Sequence, residues 1–357
     1  MVPRRLLAIA LLVLSAAVAA QPSDPPDANL TPGERERVVK GALAKLEAHY
    51  IFPESAKKAA ASVRARMAKG EYAAIASAKE LSRRLTSDLQ AATGDKHLHM
   101  IYDPRGIPPD RHPDALPPPE EMERQRAWLE KVNFGFEKAE RMRGNVGYVE
   151  IRGFVPPTLG AEAATAAMSF VARTDALIVD LRRNGGGEPA MIAYVTSYLF
   201  DEPTHLNDIY EREGEKTRQW WTLPHVPGRR YGVRKPVYVL VSKNTFSGGE
   251  EFAYNLKNLR RATIVGETTG GGAHPVRPFK IDERFAIGVP FARAINPITK
   301  KNWEGTGVAP DVSVPADRAF DAAYRMALEK MLETTTDPAI KDEIRKLLAE
   351  ISEKKAS

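Results

Sequence analysis

The sequence predicts an α/β fold built on a largely parallel sheet. Apolar, strand-like runs occur at 149–154, 176–181 and 237–241, and stretches with helical spacing lie between them at 158–171 and 188–199. Strands that alternate with helices pair in parallel, because each helix carries the chain back across a face of the sheet. We therefore expect a buried sheet that is covered by helices.

Two further features complete the predicted core. Residues 262–265 form another short apolar run, and 279–281 with 285–290 flank Asp282 and Glu283. Apolar runs separated by a short polar turn are typical of a β-hairpin. We expect this hairpin at the edge of a mixed sheet.

The chain divides into five predicted segments. They are a signal peptide (1–20), an N-terminal helical domain (21–100), a proline-rich linker with a short helix (101–146), a core (147–315) and a C-terminal helical region (316–357). The helical domain begins with a predicted capping box, in which Thr31 precedes Pro32 and Glu34.

The first residues predict export. Arg4 and Arg5 precede the apolar run 6–18, which is too short to span a bilayer comfortably, and cleavage after Ala19 or Ala20 is expected. The chain is therefore predicted to be periplasmic or secreted and not stably inserted in a membrane, with a retained anchor as the alternative. It has no cysteine, which excludes disulfides, thiol catalysis and an acylated lipoprotein.

Charge and histidine spacing exclude other classes of function. The net charge is +6, and acidic and basic residues are interspersed along the chain. Its basic pairs lack interleaved aromatic residues, so nucleic-acid binding is not expected. His112, His205 and His225 lie in loop-like sequence without the spacing of metal ligands. We expect no metal and no cofactor.

Ser247 lies on a predicted sharp turn between a strand and a helix. The buried run 237–241 precedes it, 250–259 has the pattern of a helix, and Gly248 and Gly249 follow it directly. Such a turn lifts a hydroxyl out of the sheet and aims the next N–H groups at the atom it attacks. The pattern favours a nucleophile; the alternative is an ordinary N-cap before a glycine turn.

A glycine-rich segment follows another predicted strand. Asp-Leu-Arg-Arg-Asn-Gly-Gly-Gly occupies 180–187 and precedes a helix, so its backbone can approach a ligand closely. A nucleotide site is the alternative, but the glycine spacing of phosphate-binding loops is absent.

Four motifs in this order resemble the S41 serine peptidases. They are Asp-Leu-Arg-x-Asn-x-Gly-Gly at 180–187, Thr-Phe-Ser-x-x-Glu at 245–250, Val-Gly-Glu-x-Thr at 265–269 and Glu-Gly-x-Gly-Val-x-Pro-Asp at 304–311. The family includes the C-terminal-processing or tail-specific peptidases, the tricorn protease core and the interphotoreceptor retinoid-binding protein modules. The resemblance covers about residues 30 to 330 and implies an α/β core with a crotonase-like spiral.

Two departures from that pattern indicate a branch of the family. The processing peptidases use a Ser-Lys dyad, but the corresponding segment 268–274 contains no lysine, and the next one, Lys280, lies in strand-like sequence. Residues 103–146 are too few for the PDZ domain of those peptidases. The chain thus resembles the PDZ-less, retinoid-binding-protein-like and tricorn-like members.

The resemblance implies a Ser-His-Glu arrangement. His97, in Gly-Asp-Lys-His, matches the base, and Glu304 matches the orienting glutamate. The N–H groups of Gly186 and Gly248 match the oxyanion hole.

Other residues stay open as alternatives. His99 or His274 could be the base instead, and Glu250 could belong to the site or only complement the helix dipole. Glu304 could equally be an ordinary turn residue.

We therefore expect an exported serine-type endopeptidase that cleaves polypeptides through an acyl-enzyme on Ser247. The first alternative is a binding module for apolar ligands such as retinoids or fatty acids, on the same scaffold and without proteolysis. A structural or adaptor protein of the cell envelope is the second alternative, which only the helical ends of the chain favour.

Overall fold

The computed structural model describes residues 26–110 and 118–353. The predicted signal peptide lies outside the described residues, as does part of the proline-rich linker. Within the described part, no helix is long and apolar enough to cross a membrane.

Helices begin and end the described chain, and most strands lie between them. The α-helices are α1 Pro32–His49, α2 Pro53–Ala68, α3 Ala78–Thr93, α4 Pro119–Lys131, α5 Pro157–Val171, α6 Pro189–Thr196, α7 Gly248–Asn258, α8 Ala319–Thr334 and α9 Pro338–Glu353. The strands are β1 His99–Tyr102, β2 Phe136–Met142, β3 Val146–Ile151, β4 Ala176–Asp180, β5 His205–Glu211, β6 Lys216–Trp221, β7 Val237–Val241, β8 Thr263–Gly266, β9 Val276–Lys280, β10 Phe285–Pro290, β11 Ala292–Ile295 and β12 Val312–Ser313.

The main sheet confirms the predicted parallel pairing. Its strand order is β12-β8-β7-β4-β3-β2, and only the edge strand β2 is antiparallel to its neighbour. Val179 and Val239 pack with α5, α6 and α7 on one face, while Ile178 and Leu240 pack with α8 and α9 on the other. Both faces are covered, which explains why these strands are apolar at every position.

The N-terminal helices form a second core. The capping box is confirmed: Thr31 N–H donates to Glu34 Oε2 at 2.8 Å, and Glu34 N–H donates to Thr31 Oγ1 at 3.3 Å. Helix α3 is capped at its C-terminus by Gly94, whose φ of 75° is the left-handed conformation that glycine adopts without strain.

The predicted hairpin forms, but its predicted place was wrong. Strands β9 and β10 pair antiparallel and join β1 in a separate three-stranded sheet, not the edge of the main sheet. Phe279, Phe285 and Ile287 share one buried cluster with Leu43 and Leu85 of the N-terminal helices. The hairpin is located there because its apolar side chains complete that helical core.

The parallel order of the main sheet sets the position of the functional loops. Strands β4 and β7 are neighbours, with Asp180 opposite Leu240. Parallel neighbours end at the same edge of a sheet, so the loops 181–187 and 242–247 lie side by side. A further small sheet, β11-β5-β6, was not predicted from the sequence.

Candidate active site

Ser247 is the N-cap residue of α7 and directly follows the loop after β7. Its φ and ψ are 53° and −119°, a conformation that is rare for a residue other than glycine. The backbone on either side is held, because Phe246 N–H donates to Asn184 O at 3.0 Å and Ser247 N–H donates to Glu250 Oε2 at 2.9 Å. The predicted sharp turn between strand and helix is therefore present.

The glycine-rich loop lies against this turn. A Cβ atom on Gly186 would come within 2.7 Å of Ser247 Cβ, so only glycine fits there. Its N–H, however, donates to Asn184 Oδ1 at 2.8 Å. The structure contradicts the expectation that the Gly186 N–H is free for an oxyanion, because the Asn184 side chain folds back over its own loop.

Gly187 presents the neighbouring N–H group. Phe154 and Gly187 form an isolated β-bridge, in which the Phe154 N–H donates to the Gly186 carbonyl and the Glu188 N–H donates to the Phe154 carbonyl. The Gly187 N–H takes no part in this bridge. A Cβ on Gly248 would lie 2.9 Å from Gly187 N, so the two glycine backbones touch. Gly248 is also the first residue of α7, where N–H groups have no partner within the helix.

Glu250 joins the nucleophile turn to the loop 269–272. Its buried carboxylate accepts hydrogen bonds from Ser247 N–H at 2.9 Å and Thr269 Oγ1 at 2.5 Å, and from Gly271 N–H at 2.7 Å and Gly272 N–H at 2.8 Å. Burial raises the pKa of this carboxyl group, against the opposite effect of these donors. The sequence left open whether Glu250 belongs to the site or only complements the helix dipole. Its contacts with both loops favour the first interpretation.

The His97 ring packs against Phe246, the residue before Ser247. The centroids of the His97 and Phe246 rings are 4.6 Å apart, and His97 Cε1 would lie 2.6 Å from a Cβ on Gly272. The residue is 6% exposed, and neither ring nitrogen has a hydrogen-bond partner among the described residues. Burial lowers the pKa of His97 to about 4, which leaves the imidazole neutral at physiological pH.

Glu304 lies beside His274, whereas the resemblance implied that it would orient His97. Glu304 Oε2 accepts the Ala273 N–H at 2.6 Å and lies 3.4 Å from His274 Nδ1. A hydrogen-bonded chain from Ser247 through His97 to Glu304 is therefore not formed in this structure, because the carboxylate is held by the 273–274 backbone and ring. Burial raises the pKa of Glu304 to about 7, and repulsion from Asp95 adds to this shift.

Asp95 connects the two histidines and was not assigned from the sequence. Its Oδ2 lies 2.7 Å from His274 Nδ1 and accepts the Tyr50 hydroxyl at 3.1 Å, and its Oδ1 accepts the His97 backbone N–H at 3.0 Å. The sequence offers one local indication of this role: an Asp side chain can accept a hydrogen bond from the backbone N–H of the residue two positions later.

The same cluster is a possible metal-ligand set. One ligand atom each from Asp95, His274 and Glu304 lies within 4.8 Å of the others. Within the cluster, the 2.7 Å contact between Asp95 and His274 has the length of a charge-assisted hydrogen bond.

The alternative base His99 and the nearest downstream lysine, Lys280, lie elsewhere. His99 Nδ1 bonds the His97 carbonyl at 2.7 Å, and its ring lies against Gly288 in β10. Lys280 pairs with Glu283 at 3.0 Å at the end of β9. Lys280 therefore has the position of a hairpin residue rather than that of a base for Ser247.

Comparison with known proteins gives two family matches. The model of peptidase family S41 matches residues 145–314. The model of the N-terminal domain of S41 peptidases in eukaryotic IRBP matches residues 33–137. The two matches together cover most of the chain.

Individual relatives are more distant. The chain is 28% identical over 156 residues to the tricorn protease of Thermoplasma volcanium, covering 43% of this chain and 13% of that protein. It is 24% identical over 189 residues to the carboxy-terminal processing protease CtpB of Bacillus subtilis, covering 52% and 38%. The chain thus spans well under half the length of these relatives.

The fold is shared with solved proteases. The photosystem II D1 C-terminal processing protease superposes with a TM-score of 0.50 at 15% identity, covering 81% of this chain and 94% of that one. At this identity the match shows the fold alone, including the helical region before the sheet and the helices after it.

Proposed function

Since the chain belongs to peptidase family S41, we propose that it is an exported serine peptidase that cleaves peptide bonds through an acyl-enzyme on Ser247. The observation that carries the proposal is the backbone of Ser247. A non-glycine residue at φ 53° stores strain, and such strain is concentrated at functional sites. Here it presents a hydroxyl at the end of a buried strand, beside two glycine backbones.

His97 is the base in this proposal. It packs on Phe246, the residue before the nucleophile, and on Gly272, whose N–H shares the Glu250 carboxylate with Ser247 N–H. A neutral imidazole whose nitrogens have no protein partner can accept the Ser247 proton as Oγ attacks the scissile carbonyl. It returns that proton to the leaving amine, and later activates the water that releases the acyl group.

The oxyanion hole that we propose is made by the N–H groups of Gly248 and Gly187. The first lies at the N-terminus of α7, where the helix dipole also favours negative charge. The Gly187 N–H takes the place that the resemblance gave to the Gly186 N–H, since the latter donates to Asn184 Oδ1. Donors held by a rigid backbone stabilise the tetrahedral intermediate without having to reorganise.

Glu304, Asp95 and His274 act as positioning residues. Asp95 fixes the backbone of His97, and Glu304 fixes the 273–274 segment next to the glycine on which the His97 ring rests. None of them needs to touch the substrate. They limit the motion of the base with respect to Ser247.

Labelling with a fluorophosphonate probe tests the proposal. We expect one labelled site in the wild type, no labelling in Ser247→Ala, and unchanged labelling in Ser169→Ala, where an exposed serine of α5 is removed. Circular dichroism establishes that each variant is folded. Labelling that persists in folded Ser247→Ala would refute the nucleophile, and a wild type that binds retinoid or fatty acid but takes no label would favour the binding module.

A further inference from the structure

Arg293 lies beside two aromatic rings where the small sheet β11-β5-β6 meets the N-terminal helices. It is opposite Tyr210 of β5 in the register of that sheet. Its guanidinium carbon lies 5.4 Å from the centroid of the Tyr210 ring and 5.9 Å from that of Phe52, the residue before α2. Contact with ring faces holds a guanidinium group in place and leaves its N–H donors free for an acceptor.

These donors have no acceptor in the protein. Across residues 26–110 and 118–353, the Arg293 side chain makes no hydrogen bond and no ion pair. The Tyr210 hydroxyl, on the same face of the sheet, has no hydrogen-bond partner in that part of the chain either. Both side chains are partly exposed, so a ligand can reach them. Polar groups that are largely removed from water normally have partners, so this pair of donors indicates an anionic ligand.

Arg277 shows the same arrangement with its anion present. Its guanidinium carbon lies 4.8 Å from the Phe279 ring centroid and 5.0 Å from that of Phe291. In Arg277 and Arg293 alike, Nε is buried without an acceptor. The terminal nitrogens differ, because Arg277 Nη2 donates to Glu213 Oε2 at 2.7 Å. The chain therefore supplies a carboxylate to Arg277 and none to Arg293.

The position of Arg293 connects it with the proposed active site. Ala294, its neighbour in β11, donates its N–H to the Ala273 carbonyl at 3.2 Å, and Ala273 directly follows the glycine on which the ring of the proposed base rests. On the other side, the ring centroids of Phe52 and His274 are 5.3 Å apart. Arg293 is therefore joined, through its own strand and through Phe52, to the segment that positions the base.

We propose that Arg293 and Tyr210 form a substrate subsite for a carboxylate of the bound polypeptide, either an acidic side chain or the C-terminal α-carboxylate. This inference rests on the proposed function, because a peptide that acylates Ser247 brings its carboxylate to this subsite. A carboxylate accepts two parallel N–H bonds from the planar guanidinium group, and the Tyr210 hydroxyl is a further donor. Since no described acidic residue pairs with Arg293, the subsite keeps its positive charge until the substrate binds.

The test measures peptide binding to Ser247→Ala, so that it does not depend on turnover. In one set of fluorescein-labelled peptides, Glu is moved through the sequence one position at a time, with Gln at the same position as the neutral counterpart and an amidated C-terminus throughout. A second pair has no acidic residue and differs only in a free or an amidated C-terminus. We expect the charged member of one pair to bind at least about tenfold more tightly, as is typical of a hydrogen bond to a charged group. The pair that shows this preference identifies the source of the carboxylate.

Variants of the two arginines assign the preference to the subsite. Arg293→Gln in the Ser247→Ala background should abolish it, because the charge and the paired donors are lost. Arg277→Gln is the matched control and should keep it, since that guanidinium group is already bound to Glu213. Circular dichroism establishes that each variant is folded. If Arg293→Gln does not fold, Arg293→Lys takes its place, and the preference should fall there too because an ammonium group cannot form the two parallel bonds.

The possible outcomes separate the two proposals. Equal affinity of the charged and neutral peptides in every pair, or a preference that survives in the folded Arg293 variant, would overturn the subsite. A preference that is lost equally in Arg277→Gln would overturn it as well, because it would follow from net charge alone. Absence of fluorophosphonate labelling in the wild type would overturn the nucleophile instead. In that case a preference that is lost only when Arg293 is replaced still shows that Arg293 binds a carboxylate of the peptide.

Discussion

Asp95 Oδ2 lies 2.7 Å from His274 Nδ1 in a buried contact between residues 179 positions apart. The other oxygen of the same carboxylate holds the backbone of His97. Asp95 therefore fixes one histidine by its ring and the other by its main chain. The ring of His97 is left free for chemistry, while that of His274 is already committed, and this difference separates the two candidate bases.

Removing His97 should affect the chemical step most. If it is the base, His97→Ala should lower kcat/KM on a cleaved peptide by about 10²–10⁴-fold, the usual contribution of general base catalysis. His99→Ala should lower it far less, since that ring lies against Gly288. Steady-state kinetics on variants shown to be folded would measure both. A larger loss in His99→Ala than in His97→Ala would transfer the role to His99.

The pH dependence follows from the burial of His97. Its pKa is lowered to about 4, so the imidazole stays neutral, and able to accept a proton, well below the usual value of 6.5. The fall of kcat/KM toward low pH that is due to protonation of His97 should therefore be centred near pH 4 rather than near 6.5. Glu304, Glu188 and Glu251 each have a pKa of about 7, so the profile is taken on the variant in which all three are replaced by Gln. A limb near 6.5 in that variant would mean that substrate or water reaches the ring.

Glu304 should make the stability depend on pH. Its pKa is about 7 in the folded protein against 4.5 as its ordinary value, so the folded state holds the proton more tightly. The associated stabilisation is complete below pH 4.5 and is lost as the pH rises through 7. Its size is at most about 3.5 kcal/mol, at about 1.4 kcal/mol per pKa unit.

Urea unfolding at pH 5 and pH 8 measures this effect. The free energy of unfolding should differ less between the two pH values in Glu304→Gln than in the wild type. Glu283→Gln, whose side chain is 87% exposed, provides the control and should retain the wild-type difference. An equal difference in all three proteins would contradict the raised pKa.

The sequence was informative where the structure depends on local pattern. Val237–Val241 is apolar at each position because both faces of its sheet are covered, and the turn at Ser247 follows from the strand before it and the glycines after it. Strand β6 could not be predicted, since its exposed residues are mostly polar. The pairing of Asp95 with His274 has no local signal, because only the tertiary fold brings the two together. Gly186 was assigned by motif, and the side chain of Asn184 competes for its N–H.

Glu250 should be required for the shape of the nucleophile turn. Its Oε1 accepts Thr269 and Gly271, and its Oε2 accepts Ser247 and Gly272. In Glu250→Gln, whichever way the amide turns, its NH₂ group faces at least one backbone N–H. We expect a stability loss of about 1–3 kcal/mol, as for buried donors left unsatisfied. Fluorophosphonate labelling of Ser247 should also slow, because the strained backbone loses support.

Thr269→Val is the matched comparison for Glu250→Gln. It removes the hydroxyl that bonds both Glu250 and the Val308 N–H, yet leaves the three backbone donors on the carboxylate. Its stability should fall, while the labelling rate should change less than in Glu250→Gln. Rates that fall equally in the two variants would show that labelling follows stability alone. In that case the bond between Glu250 and the Ser247 N–H would have no separate part in presenting the nucleophile.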